Sequence, residues 1–246
     1  MKKILLFTSG YISAIISFGQ GEYSGGSSGA FGFNNSNIGR VMNLSDINGQ
    51  SLLKKYEPDI KGSPFITSNW IPAKIILSKG KEIGPLFVKL NIENNELYFI
   101  DSTGKELVAA EGIVKKVDFI DYYSKDSIRY VFKNGYPIVD KQNENFYYQV
   151  FTEGKIELLA KKIKYISTTK DAFTGEASKD FVDGAVIWYV YTNDNIQAFH
   201  PNKDFILSLL IDKDQEINMF LVNNKINLKK TSDLIRLFNY YNGLNK

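Results

Sequence analysis

The sequence contains no cysteine, although it has 246 residues. Without thiols the chain cannot form disulfides, thiolate metal sites, a cysteine nucleophile or a lipid-modified N-terminal cysteine. Histidine is almost as scarce, since His200 is the only one. We expect His200 to lie in a surface or half-buried loop, because no orienting acid or nucleophile is identifiable beside it. The sequence therefore indicates no catalytic residue, no metal ligand such as a zinc site would need, and no cofactor.

An excess of charge of one sign is also lacking. Loss of Lys2 and Lys3 with a signal peptide would leave 28 basic residues against 27 acidic ones. These charges are spread along the chain and form no basic stripe of the kind that binds nucleic acid. Nucleic acid is therefore not expected as a partner.

Long apolar runs are missing except at the N-terminus, where residues 4–16 are mostly apolar after Lys2-Lys3. Small residues then stand at the two positions that a signal peptidase reads, the second being Gly19. This pattern predicts a signal peptide at residues 1–19 and an exported protein, periplasmic or secreted. The alternative is a membrane anchor, but the run is short and interrupted by polar residues. No integral membrane segment is expected after cleavage.

Residues 20–60 are expected to form a leader to the folded part. Gly, Ser and Asn dominate positions 21–39, which predicts a flexible segment or, less simply, a tether that contacts a partner. A short helix is predicted at Ser51–Tyr56, and it ends before Pro58 because proline disfavours helix in the residue that precedes it.

The clearest β-strand signal follows Pro85. Leu86, Val88 and Leu90 alternate with more polar residues, which is typical of a strand with one apolar face. Asn94-Asn95 then predicts a tight turn, because Asn tolerates positive φ. Similar turns recur about every 8–12 residues, a spacing that favours an antiparallel sheet over βαβ units.

The predicted β domain spans residues 61–200. Ala185–Tyr191 is apolar or aromatic at every position and is therefore predicted to be a central strand covered on both faces. Lys170–Lys179 contains Asp171 and Gly175 and is predicted to be a loop.

The apolar period changes from 2 to 3.6 after residue 201, which predicts three short helices within 201–246. The predicted N-terminal caps are Asn202, Asp212 in a capping box with Gln215, and Thr231 or Ser232, and Gly243 is the predicted stop. We expect these helices to pack on the sheet and to cover the face of Leu86 and Val88. The predicted fold class is α+β: a large antiparallel, curved or partly closed meander followed by a small C-terminal helical subdomain.

Five stretches of the chain resemble a group of exported proteins typical of Bacteroidota. They are Gly62–Phe65, Gly154–Leu159, Lys203–Leu210, Asp233–Ile235 and Tyr240–Asn242. The resemblance covers about residues 60–246 and implies export and a single folded unit. It implies no activity and no site residues.

Three short patterns share features with known sites but are incomplete. Asp212–Glu216 alternates carboxylates, yet lacks the glycine and distal glutamate of a calcium loop. Asp101–Lys105 shares letters with phosphate loops and aspartic proteases, but a hairpin turn explains it better. A carboxylate pair such as Asp118 with Asp121 could serve glycoside hydrolysis. With 27 acidic residues, however, such pairs arise by chance.

The predicted binding surface is the second face of the strand after Pro85. It carries Phe87, Lys89 and Asn91, with Tyr98 on the next strand. We expect a non-enzymatic exported protein that binds a protein or glycan partner or serves the cell envelope. The alternatives are a glycan hydrolase that uses a carboxylate pair and a carrier with an apolar ligand inside the curved sheet.

Overall fold

The computed structural model describes residues 50–51 and 60–245. The predicted signal peptide, 1–19, lies outside the described residues. So does most of the predicted leader, including the predicted helix beyond Ser51. Within the described part, none of the helices is long and apolar enough to cross a membrane.

The described residues form fourteen strands and three α-helices. The first seven strands are β1 Gln50–Ser51, β2 Ile60–Lys61, β3 Ile71–Leu77, β4 Glu82–Asn91, β5 Glu96–Ile100, β6 Glu106–Val108 and β7 Val114–Asp121. The others are β8 Ile128–Lys133, β9 Tyr148–Thr152, β10 Glu157–Lys161, β11 Lys164–Lys170, β12 Ala177–Asp183, β13 Ile187–Thr192 and β14 Asn195–Phe199. The helices are α1 Lys203–Leu209, α2 Asp214–Asn223 and α3 Thr231–Leu244, with a single 3₁₀ turn, Ile211–Lys213, before α2.

Eleven of the strands form one antiparallel sheet in the order β1-β6-β5-β4-β3-β7-β8-β9-β10-β13-β14. The meander is not continuous, because β1 pairs with β6, β7 returns to pair with β3, and β13 pairs with β10. Among the described residues β1 and β14 are the edges, so the sheet is open. The predicted α+β class is confirmed: a large antiparallel sheet is followed by a small helical region.

A second sheet contains β11, β12 and β2, and its β12–β2 pair is parallel. Of the loop predicted at Lys170–Lys179, residues 171–176 do form the turn of a long hairpin, but Lys170 ends β11 and β12 begins at Ala177. The strand at residues 177–179 was missed because β12 is rich in Ser, Lys and Asp and has no apolar alternation. Its pairing with β11 over seven residue pairs defines the strand instead.

One face of the first half of the sheet has its own core. It contains Ile75, Leu90 and Val117, each at most 1 % exposed, together with neighbouring residues of β3, β4, β5, β7 and β8. No residue of the helices belongs to this described cluster, so the expectation that the helices cover this face was wrong. The apolar side chains of these strands pack against one another, and the pairing of β3 shifts register with both of its neighbours.

The helices pack on the same face further along the sheet. Leu158 of β10 and Val190 of β13 meet Ile206, Ile217 and Leu237 of the three helices in a second core. Fully burying one such side chain stabilises the fold by about 1.5–3 kcal/mol. The helical region is therefore held by hydrophobic contacts with β10 and β13.

The opposite face of β9, β10 and β13 is covered by a third cluster, which includes Tyr136, Tyr148 and Tyr189. Because Tyr189 lies on this face and Val190 on the other, β13 is covered on both faces, as predicted. It is not central, however, because its neighbour β14 is the edge strand of the described sheet. The apolar sequence of β13 reports the two covering layers rather than its position in the sheet.

Two of the stretches that carry the sequence resemblance meet at one junction. Asn242 of α3 accepts a hydrogen bond from the Ile156 N–H at 3.0 Å and donates to the Ile156 carbonyl at 2.8 Å. Gly154 lies directly under this amide, since a Cβ at Gly154 would be 2.6 Å from Asn242 Cγ. The β9–β10 turn is therefore fastened to α3 by a buried amide.

The predicted caps differ in outcome. Asn202 caps α1 as predicted, because its Oδ1 accepts a hydrogen bond from the Phe205 N–H at 2.9 Å. Asp212 does not form the predicted capping box. Its carboxylate accepts hydrogen bonds from Lys155 Nζ at 2.6 Å and from the Tyr241 hydroxyl at 2.9 Å. These longer-range partners favour a role in joining α3 to the β9–β10 turn.

The predicted ends of α3 were also displaced. Lys230 occupies the N-terminal cap position and makes no side-chain capping bond, so Thr231 and Ser232 lie within the first turn. Gly243 does not stop the helix, which continues to Leu244. A helix end set by packing carries little local sequence signal.

Candidate functional site

The aromatic side chains of Phe65 and Trp70 partly cover the predicted binding residues of β4 and β5. Lys89 is paired with Tyr98 across the two strands. The Lys89 ammonium lies 5.0 Å from the ring centroid of Trp70 and 5.4 Å from that of Phe65. The Phe65 ring also contacts the Tyr98 ring edge to face, with centroids 5.1 Å apart. Burial lowers the pKa of Lys89, against the opposing effect of Glu106.

Two of the predicted residues shape the β4–β5 turn. Asn91 Oδ1 accepts hydrogen bonds from the backbone N–H groups of Glu93 and Asn94. The hydroxyl of Tyr98, which is 3 % exposed, donates to the Glu96 carboxylate at 2.9 Å. Burial, reinforced by this carboxylate, raises the pKa of Tyr98. Phe87 is half-buried on the same face of β4.

A cavity of about 400 Å³ lies beside the β4–β5 turn, whose residues Asn94 and Asn95 line it. Three segments line it: the β4–β5 turn, the connection between β6 and β7, and the residues before β9. The lining residues are Asn94, Asn95, Glu96, Leu97, Val108, Ala109, Ala110, Glu111, Gly112, Asn145 and Tyr147. Amides and carboxylates supply most of its side-chain polar atoms, and no lining residue is basic.

The amide of Asn95 fixes one wall. Asn95 has a φ of 59°, which Asn tolerates better than most residues. Its side chain donates to the Asn145 carbonyl at 3.2 Å and accepts from the Tyr147 N–H at 2.8 Å. The Tyr147 hydroxyl in turn donates to the Val114 carbonyl at 2.8 Å. Together these bonds hold the turn against the chain that enters β9.

Glu111 fixes the second wall. One of its oxygens, Oε1, accepts hydrogen bonds from Asn143 Nδ2 at 3.2 Å and from Asn145 Nδ2 at 3.1 Å. Gly112 adjoins it with a φ of +76°, and a Cβ there would lie 3.3 Å from Asn145 Oδ1. Glycine therefore leaves room for the amide of Asn145 at the cavity wall.

Each side-chain amide of the cavity wall donates an internal hydrogen bond through Nδ2, and several acceptor oxygens receive none from the described residues. Asn94 Nδ2 and the Tyr98 hydroxyl both bind Glu96 Oε2. Among the described residues, no hydrogen bond reaches Glu96 Oε1, Glu111 Oε2 or Asn145 Oδ1. Asn94 Oδ1 is buried and also lacks a partner in the described part of the chain. The lining therefore offers acceptor oxygens that a ligand can use.

The other residues considered in the sequence have structural surroundings. Asp118 forms a two-point ion pair with Arg129, and Asp121 Oδ1 accepts a hydrogen bond from the Tyr123 N–H. His200 is exposed between β14 and α1. Within residues 50–51 and 60–245, no group of three or more His, Asp or Glu side chains is placed to hold a metal ion.

The sequence predicts the β4–β5 turn but not most of the cavity. Asn94-Asn95 was predicted as a turn from its composition alone. Glu111 and Asn145 carry no local signal, since each is one polar residue in a polar loop. They meet only because β6, β7 and β9 bring their loops to one place.

Comparisons of the chain with protein-family models, curated proteins and solved structures found no match.

Proposed function

We propose that this chain is an exported, non-enzymatic binding protein whose ligand is a glycan held in the cavity at the β4–β5 turn. The observation that carries the proposal is a cavity of about 400 Å³ lined by amide and carboxylate side chains. Pockets for small ligands begin at about this size. Carboxylate oxygens and amides are suitable partners for sugar hydroxyl groups, which both donate and accept hydrogen bonds.

The internal hydrogen bonds of the walls support a binding role. Because Asn95 and Asn145 are held by bonds to neighbouring segments, their positions are fixed before a ligand arrives. Preorganised walls reduce the loss of conformational entropy on binding. The Asn94 oxygen without a partner is a buried acceptor that a water molecule or a ligand hydroxyl could satisfy.

The experiment is calorimetric titration of the full chain with a panel of short oligosaccharides. Ala110 lines the cavity, so Ala110→Leu adds side-chain volume there. We expect this variant to weaken the binding of any oligosaccharide ligand at least tenfold. The matched control is Ala172→Leu, on the exposed β11–β12 turn, which should bind like the parent chain. Equal binding by both variants would show that the oligosaccharide does not bind in this cavity.

Export is the second part of the proposal, and it rests on the N-terminal sequence pattern and the resemblance described above. The test is mass spectrometry of the chain recovered from its native cell type. We expect a mature protein that begins at Gln20, within one or two residues. An unprocessed chain retained in the cytoplasm would contradict export.

A second candidate function is glycan hydrolysis, because Glu96 and Glu111 line the same cavity. A glycosidase needs two carboxylates across the scissile bond, one of them as a proton donor. Here each carboxylate instead accepts two hydrogen bonds, an arrangement that suits fixed acceptors. Release of reducing sugars from any polysaccharide, lost in Glu111→Gln, would favour the hydrolase. The third function predicted from the sequence, a carrier of an apolar ligand, stays a prediction. The polar lining of this cavity does not favour it.

A further inference from the structure

We propose that this chain forms a weak dimer, in which α2 packs antiparallel against α2 of a second copy. The proposal concerns a surface of the helical region and does not depend on the cavity. The observation behind it is that α2 has apolar side chains on two opposite faces, whereas the described residues cover only one of these faces.

The covered face of α2 belongs to the second core. Ile217 is 0 % exposed and Leu221 is 9 % exposed, and both pack with residues of α1 and α3. Phe220 stacks on Tyr240 of α3, with ring centroids 4.1 Å apart. These contacts fix the rotation of α2 about its own axis, so the opposite face points to solvent.

The opposite face carries an apolar stripe, which we call the outer stripe. It begins with Ile211 in the 3₁₀ turn and continues through Gln215, Met219 and Val222. Steps of four, four and three residues place these side chains along one side of a helix. Ile211 is 72 % exposed, Met219 58 % and Val222 71 %. A surface helix normally has polar residues opposite its core stripe, so a second apolar stripe indicates a contact surface.

The charges at the two ends of α2 favour a second copy as the partner. Asp214 and Glu216 lie in its first turn, and Lys225 is exposed just after its end. When two copies of α2 run antiparallel, the acidic end of each lies beside the basic end of the other. A parallel arrangement would instead bring like charges together. The outer stripe itself carries no charged side chain that would oppose the contact.

The length of α2 limits the strength of this dimer. A helix of 10 residues is about 15 Å long, so the contact is smaller than the roughly 1,200 Å² buried in stable complexes. The dissociation constant is therefore expected to be on the order of 100 µM. Met219 suits such a contact, because its flexible side chain adapts to the surface that it meets.

The first test is analytical ultracentrifugation of the full chain between about 10 µM and about 1 mM. We expect a monomer that converts to a dimer as the concentration rises. Met219→Glu places two carboxylates against each other at the contact, so it should raise the dissociation constant at least about tenfold. The matched control is Ile138→Glu, at a residue 73 % exposed between β8 and β9, which should dimerise like the parent chain.

The second test uses the absence of cysteine from the sequence, because a single introduced thiol then reports only its own position. Met219→Cys should form a disulfide-linked dimer under mild oxidation, since residue 219 of each copy lies near the twofold axis. Ile138→Cys is the control and should stay largely unlinked.

The third test reverses the charges at the ends of α2. Lys225→Glu should weaken the dimer several-fold, and adding Asp214→Lys should restore it. Both changes oppose the helix dipole, so a restored dimer must come from the contact between copies. No effect of Lys225→Glu, or no rescue by the double variant, would overturn the antiparallel arrangement.

Circular dichroism of each variant checks that it folds, and Val222→Glu replaces Met219→Glu should that variant unfold. A parent chain that stays monomeric at every concentration would overturn the proposal. Dimerisation of the folded Met219→Glu and Val222→Glu variants with the parent constant would also overturn it, because the dimer would then use another surface.

Discussion

Two adjacent tyrosines show how much one hydrogen bond changes the role of a buried residue. Tyr147 and Tyr148 are both buried and point to opposite faces of the sheet. The Tyr147 hydroxyl donates to the Val114 carbonyl, whereas the Tyr148 hydroxyl is buried without a partner among the described residues. A buried hydroxyl without a partner is destabilising compared with a carbon of the same shape.

Replacement of each tyrosine by phenylalanine should therefore have opposite effects. We expect Tyr148→Phe to leave the free energy of unfolding unchanged or to raise it, because an unsatisfied hydroxyl is removed. Tyr147→Phe should lower it by about 1 kcal/mol, since the hydrogen bond from the Tyr147 hydroxyl to the Val114 carbonyl is lost and only the Asn134 amide still donates to that oxygen from a side chain. Urea unfolding of the two variants measures this difference. Equal destabilisation by both would show that Tyr148 does have a partner, such as an ordered water.

Tyr148 also makes the stability of the fold depend on pH. Burial raises the pKa of Tyr148 to about 12 from an ordinary value of 10.0, with Asp140 contributing in the same direction. The folded state therefore holds this proton more tightly than the unfolded state. Its contribution to stability is complete below pH 10 and is lost as the pH rises through about 12.

We expect the parent chain to lose about 1 kcal/mol more stability than Tyr148→Phe when the pH is raised from about 9 to about 11. Urea unfolding at both pH values measures the change. The control is Tyr122→Phe, at a residue 67 % exposed, which should follow the parent chain. If Tyr148→Phe and the parent chain responded identically, the Tyr148 proton would not be coupled to folding.

At the scale of elements, the joint between α3 and the β9–β10 turn is the clearest test of how the helices are attached. Asn242 is 6 % exposed and satisfies both backbone groups of Ile156. Its loss leaves a buried N–H and carbonyl without partners, which costs about 1–3 kcal/mol for each group. The hydrophobic contacts of the second core would remain.

We therefore expect Asn242→Ala to lower the free energy of unfolding by at least about 2 kcal/mol. The control is Asn218→Ala, at a half-buried residue of α2 whose amide binds Asp214 one turn earlier, and it should stay within about 0.5 kcal/mol of the parent chain. Chemical denaturation of the purified variants provides the measurement. A change at Asn242 no larger than the one at Asn218 would show that the helices are held by apolar packing alone.

Sequence periodicity predicted the elements whose side chains report burial directly. The alternation in β4 and the 3.6-residue period in α3 follow from one apolar face each, so both were predicted. β12 could not be predicted in this way, because its residues are largely polar and its strand is defined by pairing with β11. The cap at Asn202 is local and was predicted, whereas Asp212 depends on Lys155, which is distant in sequence.

At the scale of the whole described unit, three cores share one sheet. One face carries the first core in its first half and the helices in its second half, while the tyrosine-rich core lies on the opposite face. The predicted binding face of β4 is partly covered by Phe65 and Trp70. The cavity lies where loops from separate parts of the first half meet, so its function depends on the sheet order rather than on a motif.

NMR chemical-shift mapping shows directly whether the cavity at the β4–β5 turn binds a glycan. The backbone and side-chain amides of the full chain would be followed during titration with each oligosaccharide of the panel. We predict that the largest shifts occur at Asn94–Leu97, Val108–Gly112 and Asn145–Tyr147. Saturable shifts confined to α1–α3 or to the β11–β12 hairpin, with the cavity amides unchanged, would contradict the account.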